Sequence, residues 1–264
     1  MALAFSFSGC GLLAGYHIGA WSRLARETTL NPHRAPLIGC SGGALVAGAL
    51  AAGVSVNDAA AAMQSIVDGV RAAGFGGILR TDLLRLVRSE LKRVLPADAH
   101  AQCSGRLAVC VTDASGLRGW RRPTAVLHSH WSTRTALLDS LLSSSYIPLV
   151  TSRGFGHPAA EAGSSTPLLL DGGLSGNNFP LHPTAERTVR ISPFAGDVDI
   201  CPPSDPLAPP RRVLLPAGVR VDVSRANAHA VWRAAFPCPH DGDSTQSQLA
   251  SGYDDACRWL RAQP

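Results

Sequence analysis

Charge is scarce in this chain of 264 residues: Asp, Glu, Lys and Arg make up 16% of positions, and aromatic residues 6%. Soluble domains usually carry about 25% charged residues. With 45% hydrophobic content and a mean hydropathy of +0.09, the chain has more apolar surface than a typical cytosolic domain needs. It also lacks any dense Lys/Arg block interleaved with aromatics, its arginines being scattered as in R-R-P, S-R-G and P-R-R. That argues against a nucleic-acid partner. A net charge of +5 and a pI near 9.0 suit a modest attraction to an anionic lipid surface. No C-x-x-C occurs, and the seven cysteines (Cys10, Cys40, Cys103, Cys110, Cys201, Cys238 and Cys257) are odd in number and irregularly spaced. A disulfide framework and a zinc site are therefore not expected, and a reducing compartment is. Long hydrophobic runs are missing too. The first twenty residues carry no charge, but Ser6, Ser8, Gly9 and Gly11 interrupt their apolar stretch and no positive segment precedes it. The expectation is a cytoplasmic protein, not secreted and without a spanning helix of roughly 20 apolar residues.

What is present reads as strands alternating with helices. Residues 2–8 alternate as a strand and stop at glycine, and 15–27 place Ile18, Trp21 and Leu24 on one helical face. P-L-I-G-C-S (36–41) is a short buried strand, followed by a helix to Gly53 and another, capped by Asn57 or Asp58, to about Ala73. The segment 81–95 is strongly amphipathic, with apolar positions 83, 84, 87, 91, 94 and 95 and Leu86 off that face. R-L-A-V-C-V-T-D (106–113) and P-T-A-V-L-H-S-H (123–130) form a strand pair, and 134–145 is helical. Residues 152–167 are a Gly/Pro/Ser loop. T-P-L-L-L-D-G-G is a buried strand with a glycine exit, T-V-R-I-S-P-F a further strand, and 225–236 and 245–262 are helices. Pro-rich linkers at 202–210 and 237–239 isolate no separate unit. The pattern predicts one α/β domain over 1–264 with a largely parallel sheet.

Gly39-Cys40-Ser41-Gly42-Gly43 matches G-x-S-x-G between a short strand and a helix. In that turn the residues two away from the serine, Gly39 and Gly43, must be small, and the serine oxygen stands at the helix N-terminus, where negative charge is favoured. A plain strand–helix turn capped by Ser41 fits the same residues. Cys40 is expected to point into the core and be inert.

A serine nucleophile needs a proton acceptor. One route is a triad of Ser41, Asp171 and a histidine, with His182, His229 or His240 as candidates. The other is a dyad in which Asp171 acts directly, its carboxyl raised in pKa at the end of a buried strand. Gly172 and Gly173 let the chain turn away, although Asp-Gly is also a common turn signal. His128 and His130 alternate on one strand face without a third ligand, so no metal site is expected. His17 reads as a core residue or one supporting the site. Gly9-x-Gly11-x-x-x-Gly15 is a poor dinucleotide fingerprint, because Glu27 falls at a helix exit and not at the end of the second strand.

S-G-C-G (8–11), G-C-S-G-G (39–43) and D-G-G (171–173), in that order, resemble the patatin-like phospholipases. The likeness is closest to their animal-type branch, the group of adipose triglyceride lipase and adiponutrin. S-F-S-G-C-G-L-L-A-G-Y-H-I-G, S-S-S-Y-I-P, V-R-I-S-P-F-A-G-D-V-D-I-C-P and G-Y-D-D-A extend it over nearly the whole chain. The resemblance implies a three-layer α/β/α fold with a central, mostly parallel sheet. It further implies an acyl-lipid ester hydrolase with Ser41 as nucleophile and Asp171 as base, and with the amides around Gly9, Cys10 and Gly11 as oxyanion hole. No metal, no organic cofactor and no catalytic histidine belong to it. Transfer of the acyl group to another lipid, or lipid binding without turnover, are the alternatives. Two departures stand out: Ala14 occupies a motif glycine position, and L-S-G-N-N-F-P has longer spacing than usual after D-G-G. A short, domain-only form is implied. An apolar channel for the acyl chain is expected, with peripheral contact to a membrane or lipid droplet. The helix 81–95 and A-V-W-R-A-A-F (230–236) have faces suited to such a surface, and each suits core packing as well.

Overall fold

Strands rich in β-branched and aromatic residues and helices with one apolar face account for most of the architecture. The computed structural model describes residues 3–74, 77–152, 168–205, 211–215, 218–236 and 245–263. Elements in chain order are β1 (Leu3–Phe7), α1 (Ala14–Leu24), β2 (Leu37–Cys40), α2 (Gly42–Ala51), α3 (Val56–Ala72) and α4 (Leu83–Val94). Then follow α5 (Ala99–Cys103), β3 (Leu107–Asp113), β4 (Thr124–His128), α6 (Arg134–Ser144) and β5 (Leu169–Asp171). The chain closes with β6 (Arg187–Ile191), β7 (Arg212–Leu214), β8 (Arg220–Asp222), α7 (Arg225–Ala235) and α8 (Thr245–Arg261).

The central sheet runs β4-β3-β2-β1-β6, and β5 also pairs with β3. Its β3-β2-β1-β6 part is parallel, as expected of strands connected through helices. Helices flank it, so the expected mixed α/β architecture with a mostly parallel sheet holds. Two pairings are antiparallel. The β3–β4 pair is the expected one. The other is β5, a strand of three residues that lies against residues 111–113 of β3 while β2 lies against 107–110. Both strands therefore occupy the same edge of β3, arriving from opposite directions. The small β7–β8 ribbon and α5 were not foreseen from the sequence.

Phe5, Phe7, Leu37, Ile38, Val109 and Val111 are fully buried. At about 1.5–3 kcal/mol per large side chain removed from water, these few strand residues hold the sheet under its helices. Helix α3 starts one turn earlier than expected: Ser55, not Asn57 or Asp58, is the cap, its hydroxyl accepting from the Asp58 N–H at 3.1 Å. Leu86, off the apolar face of α4, packs against the space left by Gly69 of α3. The apolar face of α4 itself (Leu83, Leu84, Val87 and Leu91) is buried. The apolar face of that helix is therefore packed in the core.

The glycines of α1 serve a helix crossing. A Cβ on Gly19 would strike the Leu249 carbonyl, and one on Gly252 would strike the Tyr16 carbonyl, so α1 and α8 touch backbone to backbone. Gly15 faces Gln248 and Thr245 of the same helix. Its role is packing, which removes it from any phosphate-binding loop. Ala14 has φ −61 and ψ −23, ordinary helical values, so alanine at that position carries no backbone strain.

The Gly/Pro/Ser loop expected at 152–167 lies outside the described residues apart from Ser152, as do Cys238, His240 and most of the two Pro-rich linkers.

Candidate active site

Sheet register builds the site. Cys40, the last residue of β2, is paired with Cys110, and Asp171, the last residue of β5, is paired with Val111. Two strands that run toward each other along one edge of β3 thus end on consecutive rungs. Ser41, one residue beyond β2, comes beside Asp171 at that junction, close enough for its hydroxyl to bear on the carboxyl's pKa, and both residues line one cavity.

The backbone at Ser41 is bent sharply, with φ 53 and ψ −130. A non-glycine residue held there costs about 1–3 kcal/mol. Small neighbours permit the bend. A Cβ on Gly43 would strike the carbonyl oxygens of Phe7 and Ser8, and one on Gly39 would lie 2.6 Å from the Ala44 Cα. The Ser41 side chain does not cap α2. Its oxygen is left for Asp171, and the N-terminus of α2 faces the same space.

Asp171 is 6% exposed. Burial pushes its carboxyl above the ordinary carboxylate range, while hydrogen bonds from the Ser41 hydroxyl and the Gly173 N–H pull it back. The Gly173 N–H lies 2.8 Å from Oδ1. Gly172 allows the exit turn: a Cβ there would strike the Cys110 carbonyl.

The glycine loop after β1 lies against this pair. A Cβ on Gly9 would come within 3.4 Å of the Ser41 Cβ, and one on Gly42 within 2.8 Å of the Gly11 carbonyl oxygen. Gly11 has φ +52, a left-handed conformation that favours glycine. The three loop amides are not equivalent. That of Gly9 donates to the Asn178 carbonyl at 3.3 Å. The amides of Cys10 and Gly11 have no partner among the described residues.

Sequence reasoning missed two residues. The Ser144 hydroxyl accepts from the Ser41 N–H at 2.9 Å and donates to the Cys110 carbonyl at 2.6 Å, tying the bend to β3. The run S-S-S-Y-I-P contained this residue without singling it out. Asn178 holds Gly9 through its carbonyl and lies beside Gly9 and Gly173 through its side chain. It is the second asparagine of L-S-G-N-N-F-P.

His17 is fully buried, its Nε2 2.9 Å from the Ser8 carbonyl oxygen. A carbonyl only accepts, so Nε2 carries the proton. Burial lowers the imidazole to about 4, with the Ser8 bond opposing the shift, and the ring is neutral near pH 7. It supports the start of the glycine loop. The three sulfurs nearest the site, Cys10, Cys40 and Cys110, are buried thiols, each with its pKa raised chiefly by burial. Protonated thiols are poor nucleophiles.

Ser41 and Asp171 open onto a cavity of about 480 Å³ that runs between α2, α3 and α4. Leu45, Val46, Met63, Ile66, Val87 and Leu91 give it apolar walls. Among the described residues no histidine lines it. The His182 ring faces Thr184, and His229 is exposed on α7. Candidate His240 lies outside the described residues. His128 Nδ1 is 3.1 Å from the Ser140 hydroxyl, and no cluster of metal-binding side chains occurs among the described residues. No helix of the described residues is long and apolar enough to cross a membrane.

A family profile described as "Patatin-like phospholipase" matches residues 5–185. Human "Patatin-like phospholipase domain-containing protein 2" is 30% identical over 258 residues, covering 97% of this chain and 48% of the relative. The chain thus spans about half the length of that protein. Human "Patatin-like phospholipase domain-containing protein 4" is 32% identical over 258 residues, covering 97% and 95%. Human "1-acylglycerol-3-phosphate O-acyltransferase PNPLA3" is 29% identical over 204 residues, covering 75% and 39%. Among solved structures, VipD from Legionella pneumophila superposes with a TM-score of 0.53 at 11% identity, over 99% of this chain and 67% of the other, a likeness of fold.

Proposed function

The chain belongs to the patatin-like phospholipase family, and from that premise we propose that it cleaves a lipid ester by way of an acyl group carried on Ser41. The observation that supports this reading is a serine on a strained strand–helix turn beside a buried carboxylate, both lining an apolar cavity. Ser41 Oγ attacks the ester carbonyl carbon as its proton moves to Asp171. The developing oxyanion is met by the Cys10 and Gly11 amides, each such donor contributing about 2.7–4 kcal/mol. As the tetrahedral intermediate collapses, the ester C–O bond breaks and Asp171 returns the proton to the departing alkoxide. Water then attacks the acyl-enzyme, gives its proton to Asp171, and Ser41 Oγ leaves with that proton. A carboxyl raised by burial is a better base than an exposed one. No metal or organic cofactor enters any step.

The same acyl-enzyme serves a second reading, in which a lipid hydroxyl takes the place of water. The name of one relative, an O-acyltransferase, favours it. Either reading calls for contact with a lipid phase, and the free thiols among the described residues suit a reducing compartment. The test is hydrolysis of a fluorogenic acyl ester by wild type and Ser41→Ala. Wild type is expected to turn over and the variant to fall to background; equal rates would end the proposal. Incubation with a mixed lipid extract, followed by mass analysis, separates released fatty acid from a newly acylated lipid.

A further inference from the structure

Large apolar side chains stand exposed on segments that line the cavity and form an apolar rim beside it. Leu79, Leu149, Val231 and Trp232 expose 54%, 55%, 59% and 60% of their surface. Each lies in, or next in sequence to, a segment that lines the cavity: Ile78, Val150, and Val231 with Ala234. The three segments are joined. A Cβ on Gly77 would lie 3.0 Å from the Ala235 carbonyl oxygen and 3.1 Å from a ring carbon of Phe236. The Leu84 N–H donates to the Thr151 carbonyl at 3.0 Å. The Trp232 and Phe236 rings stack at 4.4 Å. Leu149 is the telling member. It is exposed, and it also holds φ 63, a conformation that leucine disfavours, so two costs meet at one position.

Charge points the same way. Arg85 and Arg225 stand exposed on the rim segments 77–87 and 225–236. The only carboxylate in those segments and in 146–152 is Asp82, which accepts from the Arg85 N–H as the cap of α4.

We propose that this rim is the face by which the protein docks on an anionic lipid surface, with Leu79, Leu149, Val231 and Trp232 entering the headgroup layer and the arginines contacting the headgroups. The inference rests on reading the cavity as an acyl channel. A chain leaving the lipid phase then enters the apolar walls without crossing water. Exposed tryptophan beside arginine is the composition that settles at a lipid–water boundary. Trp120, 98% exposed on the β3–β4 connection beside Arg121 and Arg122, is the competing anchor.

The experiment compares wild type, Leu79→Ser/Trp232→Ser, Arg225→Glu and Trp120→Ser, none of which alters a residue lining the cavity. Binding is read by co-sedimentation with phosphatidylcholine vesicles, with and without phosphatidylserine. Hydrolysis is read on a vesicle-borne ester and on a short water-soluble ester. The double variant is expected to bind vesicles at least about tenfold more weakly, to lose turnover of the vesicle-borne ester, and to keep its rate on the soluble one. Arg225→Glu is expected to weaken binding only where phosphatidylserine is present, and this tests the face even if the double variant does not fold. Wild-type vesicle binding by the double variant, or loss of binding in Trp120→Ser alone, overturns the assignment. A wild type that binds through Trp232 yet leaves both esters intact upholds the docking face and overturns the hydrolase reading. Hydrolysis of the soluble ester without vesicle binding does the reverse.

Discussion

Ser41 and Asp171 sit at the ends of two strands that approach each other along one edge of β3, so that their pairing partners, Cys110 and Val111, are neighbours in the chain. Their contact is a consequence of register. Asp171→Asn keeps the side chain's size and its capacity to accept from the Gly173 N–H, and removes the base. Ester turnover is expected to fall by about a hundred- to ten-thousand-fold, with the thermal midpoint little changed. A variant with near-full activity and an intact fold would return the search to the histidines.

Burial raises the Asp171 carboxyl above 3.8. The base must be ionised to act, so the acid limb of kcat/KM is expected above that value and is lost from the residual activity of Asp171→Asn. The sign for stability is opposite to that of a salt-bridged carboxylate. The native state holds the proton more tightly, so this group's contribution declines as pH rises from the unfolded value through the native one. Urea titrations of wild type and Asp171→Asn across that window measure the difference.

The bend at Ser41 predicts a trade between stability and turnover. Ser41→Gly relieves the φ of 53 and is expected to gain about 1 kcal/mol while abolishing activity. Ser41→Ala abolishes activity without that gain. Denaturant midpoints of the two variants, compared side by side, decide the matter.

His17 titrates at about 4 in the native state against an ordinary 6.5. The unfolded chain takes up a proton that the buried ring refuses, so stability falls as pH drops from 6.5 toward 4. The loss is expected to reach about 2 kcal/mol near pH 5 relative to pH 7. His17→Phe should flatten this part of the stability profile; an unchanged slope would mean that other groups produce it.

Ala14 and Gly252 predict a contrast that motif reading reverses. Ala14→Gly restores the motif glycine, yet with φ already −61 it is expected to cost about 0.5–1 kcal/mol and to leave kcat unchanged. Gly252→Ala, at the first residue of G-Y-D-D-A and remote from the serine and aspartate turns, drives a methyl into the Tyr16 carbonyl. A loss of about 1–3 kcal/mol or more is expected. Thermal melts together with ester kinetics of both variants check the pair.

Much of this was legible in the residues. Alternation marked β1, the G-x-S-x-G turn marked the bend at Ser41, and D-G-G marked the exit after Asp171. The direction of β5 was not legible, because three apolar residues carry no signal for parallel or antiparallel pairing. Nor was the engagement of the Gly9 amide, which depends on Asn178 being brought to it by the connection between β5 and β6. Gly15 and Gly19 fall within the helix read at 15–27, and only the position of α8 shows that they are contact points between helices. Ser144 was hidden among other serines, since nothing local distinguishes the one beneath the Ser41 N–H.

The crossing of α1 on α8 makes the glycine loop depend on a helix remote from it in sequence. Residues 9–11 lead directly into α1, whereas Ser41 and Asp171 are fixed by β2, β3 and β5. Damage to α8 would thereby slacken the anion loop and spare the seats of the serine and the carboxylate.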